Sequence, residues 1–66
     1  MNRAELRAAI ARKNISKTEL AKALGISRTA LGQKLNGQRE FKESEIRTLF
    51  SVLELSPDAF NSIFLS

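Results

Sequence analysis

Apolar residues recur along this chain at intervals of three and four. Leu6 and Ile10 form a stripe, as do Leu20 with Leu24, Leu31 with Leu35, and Ile46, Leu49 and Phe50 with Leu53. Phe60, Ile63 and Phe64 share one face near the end. This is the spacing of amphipathic helices. One start signal is repeated between the stripes. An apolar residue, a capping residue, and a second apolar residue five places after the first fix how a chain turns into a helix. Ile15-Ser16 with Leu20, Ile26-Ser27 with Leu31, Leu55-Ser56 with Phe60 and Met1-Asn2 with Leu6 all fit. Glu5 and Glu19 complete capping boxes, and Pro57 falls at a first helical position, where its missing N–H does no harm. Phe41-Lys42 with Ile46 has the apolar pair but a poor cap, so the fourth helix starts near Glu43 or, alternatively, after Ser44. Gly25 and Gly37 stand where helices need a left-handed residue to stop. The pattern predicts an all-α, compact five-helix fold in a single domain, residues 1–66, with helices near 3–13, 17–24, 28–36, 43–54 and 57–64. The apolar residues of every stripe are expected in the core, since a chain this short buries only about 60% of its unfolded surface.

Composition narrows the chemistry. The 66 residues include no Cys, His, Trp or Tyr. That removes disulfides, thiolate metal sites, the commonest general base and the commonest metal ligand. Catalytic, metal and cofactor sites are expected to be absent. Ser, Thr, Lys and seven carboxylates are the remaining candidates for chemistry. Glu43 and Glu45 are neighbours at a helix start but diverge at this spacing, and read as surface charge favoured by the helix dipole. Apolar runs last a few residues, far short of the roughly 20 that span a bilayer, so no membrane association is expected. Met1–Glu5 has no apolar segment after its charge and does not read as a signal peptide. A cytoplasmic protein follows as the expectation.

Charge is polarised. Through Arg39 there are nine bases and two acids, a net of +7. From Glu40 onward there are two bases and five acids, a net of −3. One surface suits a polyanion and another does not, although a solvated helical surface accounts for the same numbers.

The second and third helices are joined by an unusually short connection. The second ends at Leu24, Ser27 caps the third, and Gly25 and Ile26 alone lie between. A turn so tight makes two short helices cross steeply, the helix-turn-helix arrangement. Ala21, four before Gly25, leaves room for the third helix to approach. Leu20, Leu24, Ile26, Leu31 and Leu35 are expected to form the seam with the first helix.

The run SKTELAKALGISRTALGQKLNG resembles the helix-turn-helix of the phage repressor and Cro class, and REFKESEIRTLFSVLELSPDAFNSIFL resembles the closing helices of small phage-type repressor domains. The likeness rests on Glu19, Leu20, Ala21, Gly25, Ile26, Leu31 and Asn36-Gly37 at fixed offsets. It implies a lambda-repressor-like fold and a bacteriophage regulator acting on DNA inside a bacterial host cell. One departure is plain. Many such repressors carry an apolar residue where this chain has Lys34, which predicts a slightly rotated seam on the third helix.

The third helix supports the likeness by its own chemistry. With Ala30, Leu31 and Leu35 turned inward, its outward residues are Ser27, Arg28, Thr29, Gly32 and Gln33. Arg28 suits guanine O6 and N7, Gln33 suits adenine N6 and N7, and Thr29 offers a hydroxyl and a methyl to thymine. Gly32 costs a helix about 1 kcal/mol relative to Ala. Either close packing against the second helix or room for a base or a thymine methyl explains it. Phosphate contacts are expected from Ser16, Lys17 and Thr18 at the start of the second helix. Lys34 is a further candidate. The loop of Asn36, Gln38 and Arg39, with Lys42, follows from the resemblance. Arg3, Arg7, Lys13 and Lys22 are expected to face solvent. The predicted function is a sequence-specific regulator of duplex DNA, with the helix near 28–36 in the major groove, repressing by operator occupancy. A homodimer is the expected form on DNA, because operators are palindromic. The apolar tail Phe60–Ser66 keeps open an antitoxin or antirepressor built on the same fold. RNA binding is disfavoured by the lack of an exposed aromatic platform in a basic setting.

Overall fold

The computed structural model describes residues 1–65 and contains five helices: α1 (Arg3–Lys13), α2 (Lys17–Leu24), α3 (Arg28–Leu35), α4 (Glu43–Val52) and α5 (Pro57–Phe64). The repeated start signal works as read. The side chains of Asn2, Ser16, Ser27 and Ser56 each accept a hydrogen bond from the backbone N–H three residues on. At α2 the box is complete, because the Glu19 carboxylate accepts the Ser16 backbone N–H at 3.3 Å. Lys42, which lacks a capping side chain, is rescued from the other side. Its backbone N–H donates to Glu45 Oε1 at 2.8 Å, and α4 therefore starts at Glu43 rather than after Ser44.

The stops obey one rule as well. Gly25 adopts φ +71°, its N–H donates to Lys22 O at 3.1 Å, and the Ile26 N–H donates to Ala21 O at 3.0 Å. Paired bonds of this kind close a helix through a left-handed residue. Gly37, at φ +86°, does the same, with the Gln38 N–H on Gln33 O at 2.9 Å. Asn14 at φ 57° and Glu54 at φ 50° take the same backbone without being glycine. Glu54 lets the Leu55 N–H bond Phe50 O at 3.1 Å, which ends α4 at Val52, two residues before the sequence pattern suggested.

The core gathers Leu6 and Ala9 of α1, Leu20 and Ala21 of α2, Leu31 and Leu35 of α3, then Phe41, Leu49, Leu53 and Ile63. Leu24, Ile26 and Ile15 are half-buried against it. α2 is central, packing on both α3 and α4, while α1 packs on α5. The expectation that every stripe residue is core needs one correction. Phe50 is 40% exposed, and Phe60 and Phe64 are only half-buried. The three rings form a row, Phe50 edge-on to Phe60 at 5.3 Å and Phe60 tilted on Phe64 at 4.9 Å. The reason is geometric: α4 turns Leu49 and Leu53 inward, and Phe50 lies beside rather than on that line. Of the apolar tail, Ser66 lies outside the described residues.

Replacing Gly25 by Ala isolates the backbone cost of the α2–α3 turn. A Cβ there meets nothing within 4 Å, so the loss comes from the left-handed conformation alone. Urea denaturation is expected to show about 1–2 kcal/mol of lost stability; an unchanged midpoint would contradict the account of the turn.

Candidate nucleic-acid interface

The two-residue connection of Gly25 and Ile26 holds α3 against α2 by its apolar face. Leu31 and Leu35 of α3 are buried, as is Ala21 of α2. What remains outward is the set read from the sequence. Ser27, Arg28 and Thr29 are exposed, and Gly32 and Gln33 are partly so. The Ser27 hydroxyl accepts the Ala30 N–H at 3.0 Å and keeps its own hydrogen to donate. No hydrogen bond or ion pair within the chain engages the Arg28, Thr29 or Gln33 side chains among the described residues.

The cations divide into two groups. Some are engaged in ion pairs: Lys13 with Glu54 and Lys34 with Glu45 link separate elements, and Arg47 pairs with Glu43 along the exposed face of α4. Arg3 and Arg7 were expected to face solvent; Arg3 is half-buried and Arg7 exposed, and both also reach the C-terminal end of α3. Arg3 Nε donates to Lys34 O at 3.2 Å, and Arg7 donates to Leu35 O and Asn36 Oδ1, both at 2.9 Å. Cations at a helix C-terminus satisfy its unpaired carbonyls and its dipole. Their spacing of four on α1 was the available signal, since it puts both on one face. Lys13 is likewise not simply solvated, because it pairs with Glu54 and lowers that carboxyl's pKa by hydrogen bond and charge. The cations without such partners among the described residues include Lys17, Lys22, Arg28 and Arg39, all exposed on α2, α3 or the loop after them.

The other expected phosphate contacts are distributed as follows. Lys17 and Thr18 are exposed at the start of α2, beside Ser16, whose hydroxyl is held by Glu19 at 3.0 Å. Asn36, Gln38, Arg39 and Lys42 are exposed in the α3–α4 loop. Asn36 carries the hydrogen bond from Arg7, and the backbone N–H groups of Gln38 and Arg39 fold back on Gln33 O.

Lys34 requires a correction. It was expected at the surface, against phosphate, and it is 2% exposed. Its ammonium donates to Glu45 Oε1 at 2.6 Å and lies 6.0 Å from the centre of the Phe41 ring. The seam of α3 is therefore not rotated. Lys34 occupies the apolar position that the family pattern calls for, with its stem in the core and its charge matched by a buried acid. Glu45, read as surface charge, is buried too. Burial by itself raises the Glu45 pKa, but the hydrogen bonds from Lys34 and the Lys42 backbone, with the charges of both lysines, outweigh it and leave the carboxyl below its ordinary value. The pair fastens the end of α3 to the start of α4 and fixes the loop between them.

Two capped helices joined by a two-residue turn, with an outward, hydrogen-bonding face on the second and unengaged cations on both and on the loop after them, form a helix-turn-helix. The family model described as helix-turn-helix matches residues 6–60, and the chain belongs to that family, of the phage repressor and Cro type. No curated protein matches the chain, and no solved structure does. Among the described residues no helix is long and apolar enough to cross a membrane.

Breaking the buried pair from one side should be severe. Lys34→Ala is expected to cost roughly 3–5 kcal/mol in urea denaturation, the range for a buried pair that loses one partner. Lys34→Met combined with Glu45→Gln removes both charges, keeps a side-chain acceptor for the Lys42 N–H, and should recover most of that loss. Because the Glu45 pKa is lowered by folding, its contribution is complete above the ordinary carboxylate range and is lost as pH falls through the lowered value. The double variant should lack this part of the acid transition; equal acid sensitivity would contradict the assignment.

Proposed function

We propose that this protein is a transcriptional repressor of the phage Cro or repressor type, working as a single domain that occupies an operator in the cytoplasm of a bacterial host. The observation that carries the reading is the outward face of α3. Arg28, Thr29 and Gln33 stand together with no partner among the described residues, on a helix backed by the buried Leu31, Lys34 and Leu35. Such a face fits the major groove, where a bidentate Arg to guanine or Gln to adenine discriminates by about 1–3 kcal/mol. Ser27 adds a hydroxyl at the N-terminal end of the helix, the end that points at base edges in this class. Lys17 and Thr18 at the start of α2, with Ser16 beside them, and Asn36, Gln38, Arg39 and Lys42 after α3 flank that face and suit phosphates on its two sides.

Two copies are proposed to act together on DNA, joined through the α4–α5 side. An open groove of about 480 Å³ lies there, lined by Ile46, Phe50, Pro57 and Phe60, with Glu43 and Arg47 on its rim. The segment from Glu40 on is net acidic, which turns it away from a polyanion. The exposed Phe50 supplies apolar surface to a second copy related by a two-fold axis, beside the Arg47–Glu43 pair of its own helix.

Selection of duplexes from a randomised pool, followed by binding of variants, tests the reading. Arg28→Ala should lose preference at one base pair while keeping affinity for random duplex. Lys17→Ala should weaken binding evenly across sequences and reduce the salt slope by about one. A ratio of selected to random binding unchanged by Arg28→Ala would contradict the role of that side chain. Phe50→Glu should leave the fold intact and shift sedimentation of the DNA-bound protein from two copies to one; persistence of the pair would move the contact elsewhere.

A further inference from the structure

Gly32 is the one glycine of the chain with neither a backbone nor a packing reason to be there. Its φ is not positive, in contrast to Gly25 and Gly37. α3 runs unbroken from Arg28 to Leu35 through it, and the Asn36 N–H donates to Gly32 O at 3.0 Å, so it marks no kink and no stop. Beyond its chain neighbours and the backbone of its own helix, a Cβ built on it meets no heavy atom within 4 Å. Close packing against α2 is thereby excluded as its explanation. Glycine is nonetheless the poorest helix former short of proline, and alanine the best. The chain keeps an unfavourable residue at a position where the folded protein has ample space for a favourable one.

The space opens on the outward side of α3. Gly32 follows Arg28 by four residues, so the two stack on one face, and it adjoins Thr29 and Gln33 on the same side. A missing side chain lets the backbone itself come close to a ligand. In the major groove the group that projects farthest from a base pair without offering a hydrogen bond is the thymine C5-methyl. Bare Cα hydrogens and the helix backbone give such a methyl an apolar seat, whereas an Ala Cβ would occupy it.

We propose that Gly32 is a specificity-determining position: its open surface receives a thymine methyl, and the glycine is held there by recognition against the interest of helix stability. The proposal rests on the reading of α3 as a major-groove helix and adds what that helix distinguishes.

Gly32→Ala separates the two demands, because stability and recognition should move in opposite directions. Thermal unfolding is expected to rise by about 4–8 °C, the shift for a change of this size in so small a chain. Affinity for a duplex recovered by selection with the wild-type protein should fall at least tenfold, with affinity for a random-sequence duplex changed less than twofold. Replacing thymine by uracil one position at a time removes only the methyl. At one base pair of the half-site this should weaken the wild-type protein and restore binding by Gly32→Ala. A variant that binds selected and random duplexes as the wild type does overturns the proposal while leaving the DNA-binding reading in place. An equal loss on both duplexes overturns it too, by assigning the space to the sugar-phosphate backbone. A change in sedimentation with selectivity intact assigns it to a protein contact. Failure of the wild-type protein to bind any duplex at low salt overturns the proposal together with the reading beneath it.

Discussion

The position of α3 depends on how its C-terminal end is held. Three side chains converge there: Lys34 reaches into the core to Glu45, Arg3 donates to the Lys34 carbonyl, and Arg7 donates to the Leu35 carbonyl and the Asn36 side chain. The other end is fixed by the two-residue turn at Gly25 and the Ser27 cap. A helix of eight residues has little stability of its own in water. Here it is gripped at both ends and backed by leucines, so its outer face is presented in one orientation. Ordering the face before any ligand arrives removes part of the entropic cost of binding.

Glu45 does two jobs in this arrangement. Its carboxylate completes the start of α4, where Lys42 has no capping side chain, and it neutralises Lys34. A buried ion pair is weak evidence of net stability, since two apolar residues often serve as well. What the pair supplies is a directional link between α3 and α4, across the loop that carries Gln38 and Arg39.

Much of this was legible in the sequence. The helix starts were readable because each is a local device: an apolar residue, a short polar cap and a second apolar residue determine it within six positions. The stops at Gly25 and Gly37 were readable because glycine advertises a left-handed backbone. Asn14 and Glu54 adopt the same backbone without that advertisement, which is why the end of α4 was placed too late. Lys34 and Glu45 were misplaced, and the contacts of Arg3 and Arg7 went unread, for a different reason. A charged group's partner is brought near only by the tertiary structure, 11 residues away for Lys34 and 28 for the Arg7 contact with Leu35. Gly32 was ambiguous in the sequence, and the empty space around it decides against the packing explanation.

The division of the cations ties the fold to the activity. Engaged cations bind α1 to the end of α3, α1 to Glu54, and α3 to α4. Unengaged ones, apart from Arg12 on α1, lie on α2, α3 and the following loop, Lys17, Arg28 and Arg39 among them. Titrating the isotope-labelled protein with a short duplex at low ionic strength, and following backbone amide resonances, tests this most directly. The account predicts shifts concentrated at residues 17–18, 27–33 and 36–42, with α5 unmoved by a duplex too short to hold two copies. Shifts centred on α4 and α5, or none at all, would contradict it.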